Sequence, residues 1–140
     1  MKYLIGILLL SISVFWYACS KDQESPIPSV PVNINLSLDD PAFNNLNAVG
    51  GTAYIDGGIR GIIIYRKGVT EYNAFDRACS YQTTDSCAFV SLDSSISFVG
   101  CQCCGSRYQL YDGSPTVGPA NAALRAYRTS LQGRNLLIYN

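Results

Sequence analysis

The stretch VGCQCCGSRYQLYDG, Val99 to Gly113, sets three cysteines within four positions. Cys79 and Cys87, in RACSYQTTDSC, supply a second thiol-bearing loop about twenty residues upstream. Thiols at this density hold a metal or iron–sulfur centre, staple loops as disulfides, or mark a site that has lost its metal. The spacing Cys101-x-x-Cys104 has the bite used by both zinc and iron–sulfur sites. The 140 residues contain no histidine, which removes Ser-His-Asp and Cys-His catalysis and every imidazole metal site. No phosphate-cradling glycine loop precedes a helix. Any redox chemistry of this chain is therefore electron relay, not substrate turnover.

Strands must position these loops. NINLSL (Asn33–Leu38) alternates polar and apolar residues, as a half-buried strand does. DDPAFNNL interrupts it, and Asp39 and Asp40 before Pro41 are solvated turn residues, not a catalytic carboxylate pair. Strand, turn, strand, turn, strand follow through VGGTAYIDGGIRGIIIYRKGVTEYNAF, with turns at Asp56-Gly57-Gly58 and Arg66-Lys67-Gly68. The β-branched run Ile62–Tyr65 predicts a strand buried on both faces. Near the C-terminus, Gln132-Gly133 joins two further strands, and PANAALRAYR predicts at most a turn of helix. The sum is an all-β domain of nine or so short strands.

The run NAFDRACSYQ…C…VGCQCCGSRYQLYDGSPTVGPA resembles the cluster-binding region of a Rieske domain, which carries C-x-H in one loop and C-x-C-H-G-S-x-F/Y in another. Cys79 and Cys101 match the cysteine ligands. Gly105, Ser106, Tyr108, Gly113, Gly118, Pro119 and Ala120 match the second and third loops, and the strand pattern extends the match over about residues 33–140. The resemblance implies a small antiparallel β-sandwich or barrel with a cluster-binding subdomain, holding a [2Fe–2S] cluster and passing electrons to a redox protein partner. It implies a Cys87–Cys103 disulfide, and hydrogen bonds from Ser106 and Tyr108 that raise the cluster potential.

Both histidine positions depart from the family, the first holding Tyr81 and the second Cys104. The imidazole-derived high potential and its pH dependence are therefore not inherited. With Cys87 and Cys103 bonded, the ligand set is Cys79, Cys101, Cys104 and the Tyr81 oxygen. With Cys87 turned inward instead, Cys79, Cys87, Cys101 and Cys104 make an all-cysteine set of ferredoxin-like potential, roughly −400 mV. A structural zinc on the same thiols is a third arrangement. In the fourth, disulfides replace the metal and the domain serves binding or structure.

Residues 1–18 read as an export signal, with Lys2 ahead of an apolar run too short for a comfortable membrane span. WYAC resembles a bacterial lipobox, which implies acylation of Cys19 and a lipid anchor in the cell envelope, on the periplasmic or surface side. Residues 20–31 hold three prolines and predict a tether, with the globular domain over 32–140. Removing 18 from 140 leaves 122 residues, too few for the separate catalytic domain of the larger Rieske oxygenases. Ten basic and ten acidic residues cancel, and no basic stripe exists, which argues against nucleic-acid binding.

Overall fold

The computed structural model describes residues 25–140. The export signal, Cys19 and residues 20–24 lie outside the described residues.

Among the described residues are ten strands and one 3-10 segment: β1 (Asn33–Ser37), the 3-10 segment Pro41–Asn47, β2 (Thr52–Ile55), β3 (Ile62–Arg66), β4 (Tyr72–Asp76), β5 (Val90–Leu92), β6 (Phe98–Cys101), β7 (Arg107–Gln109), β8 (Pro115–Val117), β9 (Ala126–Gln132) and β10 (Asn135–Tyr139). They form two antiparallel sheets, a larger one in the order β1-β10-β9-β4-β3-β2 and a smaller one in the order β5-β6-β7-β8. The domain is all-β, as the sequence pattern implied.

The smaller sheet is a continuous insertion between β4 and β9. β3 and β4 lie between two cores and serve both. Ile62 and Ile64 of β3, with Tyr72 and Ala74 of β4, pack with Leu36, Leu136 and Ile138. Ile63 and Phe75 point the other way, onto Val90, Val99, Tyr108 and Leu110 of the inserted unit. All three isoleucines are fully buried, each contributing ~1.5–3 kcal/mol of burial. The run of β-branched residues was legible because a strand with apolar matter on both sides has no polar face to alternate.

Two local expectations need correction. PANAALRAYR contains no helix; residues 119–125 are an irregular loop whose carbonyls at Ala122 and Ala123 accept bonds from Ser80 and Ser25. The short helical piece lies instead at Pro41–Asn47, where Asp40 caps the backbone N–H of Ala42 at 2.9 Å and Pro41 occupies the first turn. Asp39 bonds Arg134 at the surface, in keeping with a solvated role. Part of the expected tether is also packed: Ile27 is fully buried and its carbonyl accepts from Arg125 Nε at 2.6 Å.

Candidate metal centre

Two loops bring the thiols together. The β4–β5 connection carries Cys79, whose backbone N–H bonds Ala88 O at 2.9 Å, and a bridge between Ala78 and Phe89 closes the base of that loop. Cys101 ends β6. The following turn folds back tightly: Gly105 N–H reaches Cys101 O at 2.8 Å, and Cys101 N–H reaches Ser106 O at 2.8 Å. Gly105 has φ +76, a left-handed conformation that glycine adopts without strain. That turn returns Cys104 over Cys101.

The sulfurs of Cys79, Cys101 and Cys104 all lie within 4.8 Å of one another, with Cys79 and Cys104 at 3.5 Å. Cys79 and Cys101 are buried, and Cys104 is partly exposed. Cys87 and Cys103 form a disulfide across the two loops, so Cys87 is not free to turn toward the triad.

The surrounding hydroxyls are specifically placed. Tyr108, with no exposed surface, sets its hydroxyl 3.4 Å from the Cys79 sulfur. Ser106, equally buried, stands 3.1 Å from the Cys104 sulfur and accepts the Ala120 N–H at 2.9 Å, tying the third loop to the site. Ser80 escaped notice in the sequence. Its hydroxyl stands 3.0 Å from that of Tyr108 and donates to Ala122 O at 2.6 Å. A serine beside a cysteine carries no signal of its own, because only the folded β8–β9 connection supplies its partner.

Electrostatics separate the thiols. Burial pushes the Cys101 thiol up to about 12; the N–H groups of Cys104 and Cys103 oppose this, and the neighbouring sulfurs add to it. Burial also acts upward on Cys104, but bonds from the Ser106 hydroxyl and N–H and from the other thiols outweigh it, and its net shift is downward. Tyr108 is raised above the ordinary phenol range, by burial first and then by Cys79.

Three solved structures share this architecture. The chain is similar to the ferredoxin of carbazole 1,9a-dioxygenase from Nocardioides aromaticivorans (TM-score 0.50, 23% identity, covering 79% of this chain and 97% of that one). It is similar to the plasma membrane Rieske protein of Synechocystis PCC 6803 (TM-score 0.56, 22% identity, 75% and 97% covered). The domain has the Rieske fold. A structure of oxygenase and ferredoxin in complex, again from carbazole 1,9a-dioxygenase, matches at TM-score 0.53 and 16% identity, covering 77% of this chain and 93% of that one. No family model and no curated protein matches the chain.

In a Rieske cluster two cysteines hold one iron and two histidines the other. This Rieske-fold domain brings together three thiols and no imidazole. Tyr81, at the first histidine position, is 50% exposed and makes no hydrogen bond to the three thiols. Buried sulfurs flanked by hydroxyl donors are chemically suited to a thiophilic metal. For a two-iron cluster the gathered set is one donor short.

Proposed function

We propose that this Rieske-fold domain is a one-electron carrier whose centre is an iron–thiolate site on Cys79, Cys101 and Cys104, lipid-anchored through Cys19 in a bacterial cell envelope. The observation that carries the reading is the convergence of three sulfurs from two loops within 4.8 Å. The two buried hydroxyls on Cys79 and Cys104 support it, since donors to thiolate sulfur stabilise the more negative reduced state. The fold family implies a [2Fe–2S] cluster as occupant, and Tyr81, at the first histidine position, would have to turn inward to complete its ligand set. A protein redox partner suits the reading, because one structural neighbour is a ferredoxin in complex with an oxygenase.

The test is to produce the full chain in a bacterial host and purify it in detergent without oxygen. Its absorption spectrum, iron content and reversible one-electron titration are then measured. A coloured, iron-containing protein that cycles by one electron is expected. A colourless protein without iron overturns the reading.

One observation favours a second reading. The Cys87–Cys103 disulfide already ties the two loops without a metal. The domain would then be a cluster-free scaffold for binding or structure. It would purify iron-free with four cysteines oxidised.

A further inference from the structure

The geometry points to a single divalent metal ion, not a two-iron cluster, as the occupant of the Cys79, Cys101 and Cys104 triad; the inference rests on the reading above that this tip is an inorganic centre. Metal–thiolate bonds of about 2.3 Å put the sulfurs of a tetrahedral site about 3.8 Å apart. Cys79 and Cys104 stand at 3.5 Å, and no pair of the three exceeds 4.8 Å. One ion can reach all three sulfurs after adjustments of about an ångström. A cluster instead distributes its four ligands over two irons. The family pattern would give Cys79 to one iron and Cys104 to the other, yet these two sulfurs are in contact.

The surroundings suit an ion in a knuckle. Cys101-x-x-Cys104 closes on itself through Gly105 N–H to Cys101 O. Tyr108 serves Cys79, and Ser106 serves Cys104. Cys79 and Cys104 therefore each have a hydroxyl at hand to disperse charge, which matters when three thiolates surround one divalent ion and leave a net charge of −1. Cys104 is the partly exposed member, so the fourth coordination position opens on its side and takes a water or one oxygen ligand.

Two measurements on the full chain, purified in detergent without oxygen, decide this. The first counts iron, zinc and acid-labile sulfide per chain. The second strips the metal and titrates with Co²⁺ alone, reading tetrahedral d–d and thiolate charge-transfer bands. One metal per chain, no sulfide and saturation at one equivalent of Co²⁺ are expected. Cys101→Ser and Cys104→Ser should each weaken Co²⁺ binding more than ~10-fold, while the Cys87→Ser, Cys103→Ser double variant retains the bands. Far-UV circular dichroism of each variant separates lost ligation from lost fold. Two irons with two sulfides overturn the single-ion inference and leave the carrier reading standing. One zinc upholds the inference and overturns the carrier reading, because zinc has no redox step. No metal and no cobalt bands overturn both.

Discussion

Tyr108 sets its hydroxyl 3.4 Å from the sulfur of Cys79, with no surface of its own exposed. Removing that hydroxyl leaves the ring in place and deletes one hydrogen-bond partner of the sulfur proposed as an iron ligand. Tyr108→Phe should lower the reduction potential of the loaded protein by roughly 40 mV, the one-electron equivalent of a ~1 kcal/mol hydrogen bond. A spectroelectrochemical titration measures it. An unchanged or raised potential would show that the hydroxyl does not act on the centre.

The Cys87–Cys103 disulfide closes a loop with a sequence separation of 16. A closed loop of that size restricts the unfolded chain by ~3 kcal/mol. The Cys87→Ser, Cys103→Ser double variant should lose about that much in equilibrium denaturation. A loss under ~1 kcal/mol would mean the loops are held in register by other contacts.

Asp76, fully buried at the end of β4, organises the approach to Cys79. Its carboxylate accepts from Ile59 N–H at 2.6 Å, Arg60 N–H at 3.2 Å, Ala78 N–H at 2.8 Å and the Tyr127 hydroxyl at 2.8 Å. Gly58 leaves it room: a Cβ there would fall 2.2 Å from Asp76 Oδ2. Asp76→Ala strands four donors and should cost at least ~3 kcal/mol, whereas Tyr127→Phe should cost about 1.5–3 kcal/mol. Chemical denaturation of the two variants checks the order, and equal costs would refute this account of the carboxylate.

Alkaline pH should destabilise the metal-free, reduced protein. The Cys101 thiol titrates near 9 when unfolded and at about 12 when folded, so the unfolded chain releases its proton first. The stabilising contribution is whole below pH 9 and disappears as the pH climbs toward 12. Tyr108 and Tyr127, both raised by burial, act in the same direction above pH 10. Melting temperatures measured from pH 7 to 11 should fall beyond pH 9. A flat profile would mean Cys101 ionises as freely folded as unfolded.

Much of the fold could be read from local patterns. Ile62–Tyr65 declared a doubly buried strand, and β9 and β10 turn through Gly133 with φ +62, next to the Gln132-Gly133 signal. The 3-10 segment was hidden because Asp40-Pro41 signals a turn and a helix start equally well. The expected helical turn near Ala122 failed for another reason: its backbone carbonyls are taken by side chains from remote segments, Ser25 and Ser80. Nothing in the composition of PANAALRAYR could announce those partners.

The sequence by itself determined the number and spacing of the thiols, the loss of both imidazoles and the strand pattern that carries the loops. Those are properties of residue type and order, and a one-dimensional reading reaches them. The tertiary structure decided between the arrangements that the family resemblance left open for the cysteines. It paired Cys87 with Cys103 and brought Cys79 across 25 positions to within 3.5 Å of Cys104. It also gave Ser80 its partners, Tyr108 and the Ala122 carbonyl. Contacts of that kind depend on how two sheets pack and where their connections cross, and no local periodicity records that.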